Sequence, residues 1–167
     1  MALDPLPTFA MQGSDLALTR YTGVPSAVPL SFADSWGSLD LQVVAGGQGG
    51  LALKGAISDL GTVAARENLG QALTLRLLTE QGALQSLGHP GYGSRLVTLI
   101  GRTNDQATRN LARLYVIEAV REERRVRTLT ELSVITAPGQ PDTLRISLSV
   151  VPLDDADPVA LSLDVTL

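Results

Sequence analysis

The chain has 167 residues, enough for one domain with an added arm. Its 13 basic and 17 acidic residues give a formal charge of −4, and 44% of its residues are hydrophobic. This composition excludes a disordered acidic tail and argues against a free-standing nucleic-acid binder. The chain has no cysteine and one histidine, its first ten residues lack a signal-peptide pattern, and no apolar stretch approaches the ~20 residues of a membrane span. We therefore expect no disulfide, no metal, no cofactor and no membrane insertion.

The first 37 residues show no sustained helical or strand period. They contain four of the nine prolines and four of the six aromatic residues, namely Phe9, Tyr21, Phe32 and Trp36. Flexible linkers rarely hold most of a chain's aromatics. We therefore expect an irregular N-terminal arm that docks either on a partner or on the chain's own core.

Alternation of apolar and polar residues begins at Leu39, Leu41 and Val43 and resumes at Leu51 and Leu53. Two alternating runs around the glycine-rich segment 46–50 predict a β-hairpin. The segment lacks the Gly-Lys-Ser/Thr ending and the following helix of a phosphate-binding loop, so a flexible turn is the better interpretation. The arm and the hairpin form an N-terminal extension, residues 1–56, before a core domain at 57–167.

Helical spacing replaces the alternation after Thr62, which is the expected N-cap, and Gly82 follows the expected helix end. The apolar stripe of this helix is Leu69, Ala72, Leu73 and Leu77. Leu75 and Leu78 lie off the stripe and predict apolar contacts on more than one side.

Two further helices are predicted after a turn at 88–93, where glycine and proline disfavour helix. The short helix, at 94–100, places Leu96, Leu99 and Ile100 on one face. The longer helix, at 104–122, has an apolar stripe of Ala107, Leu111, Leu114 and Ile117 or Val120, with Arg109, Arg113 and Arg121 on its outer face.

The last third of the chain has the period of β-strands. An imperfect run at 128–135 predicts a bulge near Leu129, and two clean runs follow. Their apolar rows are Leu144, Ile146, Leu148 and Val150, then Val159, Leu161, Leu163, Val165 and Leu167. One apolar and one polar face per run predict an antiparallel sheet covered on one side. The fold class is therefore α+β, with two to three helices packed on a mainly antiparallel sheet, and the final strand is expected to offer an available sheet edge.

Arginine is concentrated where the long helix is expected to meet the first C-terminal strand. Seven of the 13 basic residues lie between Arg102 and Arg127, and all seven are arginines. A charge run is ordinarily a solvated face, but the planar guanidinium suits paired, partly buried contacts. We expect Glu123 and Arg125 to pair with charged groups at this junction or on a neighbouring subunit.

Several short motifs also follow one another in a familiar order. They are Asn68-Leu69-Gly70-Gln71-Ala72-Leu73, Arg76-Leu77-Leu78-Thr79, His89-Pro90-Gly91-Tyr92-Gly93-Ser94-Arg95-Leu96, Asn110-Leu111, Tyr115-Val116 and Glu123-Arg124-Arg125-Val126. This order, over residues 57–167, resembles the baseplate protein W family, the small wedge proteins of contractile phage tails and related injection systems. The family's Glu-Pro-Arg signature falls on Glu123, Arg124 and Arg125, with arginine in place of proline.

The resemblance implies a structural role and no enzymatic activity. Family members occupy the centre of the baseplate, bind other wedge proteins, and contact the tube or hub and the first sheath ring. Partner contacts are thus expected at Glu123, Arg124 and Arg125 and, by strand addition, along Val159, Leu161, Leu163 and Val165. The protein would be cytoplasmic during assembly and then part of a symmetric tail particle in multiple copies.

Two other functions stay open. A regulatory role is the main alternative, because a bacterial stress-response anti-adaptor shares the family's fold. A tail muramidase is disfavoured: Glu118 and Glu122 could share a helix face as paired carboxylates, but no aromatic platform is expected nearby. His89 lies in a turn, and the chain has no Gly-x-Ser-x-Gly motif to support a serine triad.

Overall fold

A computed structural model describes residues 62–167 continuously, together with residues 14–16, 18, 30–31, 43–45 and 58–60. The aromatic residues of the arm and the glycine-rich segment 46–50 lie outside the described residues, as does the predicted strand at 51–53. The strands are β1 (Ser14–Leu16), β2 (Leu30–Ser31), β3 (Val43–Ala45), β4 (Ser58–Leu60), β5 (Thr62–Ala64), β6 (Val126–Ala137), β7 (Gln140–Pro152) and β8 (Val159–Thr166). The α-helices are α1 (Ala65–Leu78) and α2 (Gln106–Arg121), and 3₁₀-helices span Gln85–Leu87 and Leu96–Leu99. The predicted α+β class is confirmed.

The main sheet has the strand order β2-β8-β7-β6. The long strands β6, β7 and β8 pair antiparallel, as predicted, while β2 pairs parallel to β8 at Leu163 and Asp164. The register of β6 shifts between Leu129 and Glu131, which confirms the predicted bulge. The sheet is therefore mainly antiparallel, with one short parallel strand at its β8 side.

The core lies between one face of this sheet and the helices. The alternating apolar residues of β7 and β8 from Leu144 to Val150 and from Val159 to Val165 are all buried, as the period-2 pattern predicted. The opposite face of the sheet carries polar pairs. Arg145 forms a two-pronged ion pair with Asp164, with Nε and Nη2 each 3.0 Å from a carboxylate oxygen.

Helix α1 begins later than the sequence predicted. Thr62 is not its N-cap, because Thr62–Ala64 forms strand β5, which pairs antiparallel with β1. Ala64 takes the cap position without a side-chain hydrogen bond, and Ala65 follows with a φ of +52°. The helix is buried on several sides, including at Asn68 and Gln71, which confirms the expectation drawn from its off-stripe leucines.

The buried face of α2 differs from the predicted stripe. Its buried residues are Thr108, Ala112, Val116, Ala119 and Val120, whereas Ala107 and Leu114 are exposed. Both stripes have helical spacing, and the smaller side chains let the helix approach the sheet and α1 closely. Asp105 is the N-cap, and its carboxylate accepts the Thr108 N–H at 2.7 Å.

Two other expectations need correction. Leu96 and Leu99 are buried, but Ile100 is exposed, because a 3₁₀-helix aligns residues three apart and turns the next one away. Val43 belongs to a strand whose partner is Ser58–Leu60, further along the chain than predicted. Among the described residues, no helix has the length and apolar character required to cross a membrane.

Candidate functional site

The arginine-rich junction between α2 and β6 reverses the chain within a few residues. Glu122 caps the C-terminus of α2, the Glu123 N–H donates to the Val120 carbonyl at 3.1 Å, and the Val126 N–H donates to the Glu123 carbonyl at 3.1 Å. The two backbone bonds of Glu123 fix its position in the turn. Its side chain therefore points in a defined direction, toward α1.

The Glu123 carboxylate binds two arginines. Its Oε1 accepts a hydrogen bond from Arg125 Nε at 2.8 Å, and its Oε2 lies 3.5 Å from an Arg76 Nη2. Only 9% of the Glu123 side chain is exposed, against 12% for Arg76 and 20% for Arg125. The pairing expected at the junction is thus found within this chain, and it joins α1 to the start of β6.

Tyr92 completes this junction cluster, which we define as Arg76, Tyr92, Glu123 and Arg125. The Arg76 guanidinium lies 4.6 Å from the centroid of the Tyr92 ring, a distance suited to a cation–π contact. Arg76 Nε is buried and has no hydrogen-bond partner among the described residues. The charge of Arg76 is therefore held by one carboxylate and one aromatic face.

Burial and neighbouring charge shift the pKa of Glu123 in opposite directions. Burial raises the pKa of Glu123, but the hydrogen bonds and charge of Arg125, with the charge of Arg76, outweigh it and hold the pKa below its ordinary value. For Tyr92, burial dominates and raises the pKa of the phenol. At neutral pH the cluster therefore contains a carboxylate, two guanidinium groups and a neutral phenol.

Sequence reasoning missed Arg76 and Tyr92 as members of this cluster. A signal was present for Arg76, because it interrupts a helix whose neighbouring residues, Leu73 and Leu77, are apolar and buried. Tyr92 gave no such signal, since it lies in a glycine-rich turn with no period. Arg124, which the sequence grouped with Glu123 and Arg125, is exposed.

The outer edge of strand β8, which the sequence predicted to be available, is occupied in part. Leu30–Ser31 pairs with it at Leu163 and Asp164, because a segment far away in the sequence returns to that side of the sheet. The side chains of Val159, Leu161, Leu163 and Val165 all lie in the chain's own core. Any partner strand at β8 would therefore be bound through the main chain, and that partner role stays a prediction.

The two candidate carboxylates line a cavity of about 460 Å³ at the side of α2. Glu118 and Glu122 share this cavity with Tyr115, so the expectation that no aromatic residue lies nearby is wrong. Arg95 Nη2 lies 2.6 Å from Glu118 Oε2, and the central carbon of the same guanidinium lies 4.3 Å from the centroid of the Tyr115 ring. The carboxylate and the ring thus each have Arg95 as a partner.

One other candidate group, His89, lies away from this cavity's lining. His89 is exposed in the 88–93 turn, where its backbone N–H donates to the Leu84 carbonyl at 3.1 Å. Over the described part of the chain, no group of three His, Cys, Asp or Glu side chains is placed to hold a metal ion.

Comparison with known proteins shows a similarity of fold. Neither a protein-family profile nor a curated protein matches the sequence. The structure is similar to a crystal structure from Geobacter sulfurreducens described as a "putative tail lysozyme", with a TM-score of 0.53 and 16% sequence identity. The similarity covers 71% of this chain and 96% of the Geobacter chain. Most of this chain therefore shares a fold with nearly all of that protein.

Proposed function

We propose that this chain is a structural component of the baseplate of a contractile phage tail or a related injection particle. It would join the wedge core bundle to the tube or hub and the first sheath ring, in multiple copies, after folding in the cytoplasm. The ordered motifs of residues 57–167 support this role, and so does the fold shared with the Geobacter chain. The main observation is the junction cluster, since Glu123 and Arg125 occupy the positions of the family's signature and are paired there.

The junction divides the predicted partner-binding residues into two roles. Glu123 and Arg125 already satisfy one another inside the chain, so they position the turn. Arg124 lies between them and is exposed, next to the exposed Arg121 and Glu122. A guanidinium held on a braced turn is suited to bind a carboxylate of a neighbouring wedge protein. We therefore assign the direct wedge contact to Arg124.

Contact with the sheath would use the main chain of β8. Its apolar side chains are committed to the core, and among the described residues Leu30–Ser31 pairs with it at Leu163 and Asp164. An arriving strand would extend this short pairing or replace it. The residues Val159 and Leu161 would then contribute backbone groups and no side-chain contacts.

An enzymatic role, the less favoured alternative, has one supporting observation: two glutamates and a tyrosine line one cavity. A glycosidase acid normally lies in an apolar pocket. Glu118 instead binds Arg95, and nearly half of its side chain is exposed, 47%. We therefore propose that the chain is not an enzyme, and we expect no reducing ends from peptidoglycan. Hydrolysis lost in both Glu118→Gln and Glu122→Gln would overturn this.

The assembly role is tested in the cell that encodes the chain, with a tagged copy replacing the original gene. Arg124→Glu should leave the thermal midpoint unchanged, because the side chain is exposed, yet reduce the tagged chain in sedimented particles about tenfold or more, as expected for loss of a charged interface contact. Arg102→Glu is the matched control, since Arg102 is also exposed but lies outside the junction. It should enter particles normally.

Particles are counted by electron microscopy in the same strains. Deleting the gene should abolish sheathed particles. Normal sheathed particles from the deletion strain would refute the baseplate role. A tagged chain recovered in a complex that lacks sheath and tube proteins would favour the regulatory alternative.

A further inference from the structure

The side chain of Gln71 binds the main chain of the N-terminal arm. Its Oε1 accepts the Leu18 N–H at 2.9 Å, and its Nε2 donates to the Leu16 carbonyl at 2.8 Å. Gln71 lies in the middle of α1 and is only 2% exposed. A buried amide needs such partners, and here both come from a segment more than fifty residues away.

Strand β5 extends the same contact. Thr62–Ala64 pairs antiparallel with Ser14–Leu16, with Leu16 opposite Thr62 and Ser14 opposite Ala64. We call β5 and Gln71 together the strand-acceptor site. The side chains of Ser14, Asp15 and Leu16 are all exposed. The site therefore recognises its occupant almost entirely through main-chain groups, with two of these bonds made by Gln71.

We propose that the strand-acceptor site also takes residues 14–18 of a second copy of this chain, so that neighbouring copies exchange arms. An exchanged arm makes the same backbone bonds as the chain's own arm, which makes such swaps low in cost. Eleven residues separate Leu18 from Leu30, which pairs with the chain's own β8. Extended, they span up to about 40 Å, so the arm reaches an adjacent copy without disturbing β2.

Local concentration decides whether the site holds the chain's own arm or the arm of a second copy. The tethered arm has a high effective concentration at its own site, on the order of millimolar. Exchange therefore requires copies held close together or at comparable concentration. A second copy is favoured over an unrelated strand because residues 14–18 already combine the β5 register with the two bonds to Gln71. Arm exchange needs only neighbouring copies and does not depend on the baseplate role.

Engineered cysteines test the exchange cleanly, because the chain has none of its own. Ser14 and Ala64 are directly opposite in the β1–β5 pair. The double variant Ser14→Cys/Ala64→Cys should form a disulfide within one chain in dilute solution. Failure to form it would show that residues 14–18 do not occupy the site, and would overturn the proposal at its first step.

Exchange itself is measured by mixing two single variants, Ser14→Cys and Ala64→Cys, that carry tags of different size. At concentrations on the order of 1 mM, the mixed disulfide dimer should form about tenfold faster than in a mixture of Ser14→Cys with Gln140→Cys. Gln140 is an exposed residue at the start of β7, so that mixture reports random collision. Equal rates in the two mixtures would refute arm exchange.

Two further variants test the contribution of Gln71. Leu18→Pro in the Ser14→Cys chain removes the N–H that Gln71 accepts, and it should slow the mixed dimer to the collision rate without changing the core. In the Ala64→Cys chain, Leu18→Pro instead weakens the resident arm, so it should speed the mixed dimer, whereas Gln85→Ala, at an exposed glutamine, should leave the rate unchanged. Equal rates with and without Leu18→Pro in both chains would refute the assigned role of Gln71.

Discussion

Replacing Glu123 tests the junction cluster most directly. In Glu123→Ala the two arginines lose their shared carboxylate, and Arg76, only 12% exposed, keeps its charge against the Tyr92 ring. Removing one partner of a buried ion pair costs about 3–5 kcal/mol. Arg125 is one-fifth exposed and the Arg76 contact is long at 3.5 Å, so the low end, about 3 kcal/mol, is the expected loss.

A graded series separates charge from shape. Glu123→Gln keeps an oxygen for Arg125 Nε but loses the charge, so it should cost about 1–2 kcal/mol, the difference between charged and neutral hydrogen bonds. Glu122→Ala is the matched control at the neighbouring, exposed position and should change stability by less than about 0.5 kcal/mol. Urea unfolding of the full chain, followed by circular dichroism, gives each free energy of unfolding.

The same series has a defined pH dependence. Because the folded pKa of Glu123 lies below its ordinary value of 4.5, its contribution is fully present above that pH. It is lost as pH falls further, through the folded pKa. The stability gap between the native chain and Glu123→Gln should therefore shrink below pH 4.5. A Glu123→Ala chain no less stable than Glu122→Ala, or a gap that widens in acid, would refute the assignment.

Two other substitutions test local backbone geometry. Gly93→Ala should lower the urea midpoint much more than Gly88→Ala: both have positive φ, which costs roughly 1–2 kcal/mol, but only at Gly93 would the added Cβ lie 2.6 Å from the Glu80 carbonyl oxygen. Equal losses would contradict the close approach. Asp105→Ala should lower the thermal midpoint at neutral pH by removing the α2 N-cap. Hydrogen bonds that the Asp105 carboxylate accepts from the Thr108 backbone N–H and side chain hold the pKa of Asp105 below its ordinary value. The effect of the substitution should therefore fade as the pH falls through the folded pKa of Asp105, and a constant effect would contradict the cap.

Part of the fold was accessible from the sequence because it depends on local period. In β7 and β8 every second residue is apolar, and side chains of a strand alternate between faces, so the pattern alone selects the buried rows. The choice of arginine at the α2–β6 junction likewise indicated paired contacts, which Glu123 and Arg125 make with one another only two residues apart. Features of this kind can be predicted from the local sequence without knowledge of the rest of the chain.

Where the sequence allows two different faces of a helix to be buried, only the tertiary structure determines which one is. Helix α2 has two stripes of helical spacing, and the structure buries the one with Ala112 and Ala119. Arg76 meets Glu123 across 47 positions, and Gln71 meets Leu18 across 53. Such contacts leave no periodic trace in the sequence. They arise because packing α1 against the junction and the arm buries charged and amide groups, which must then find partners in space.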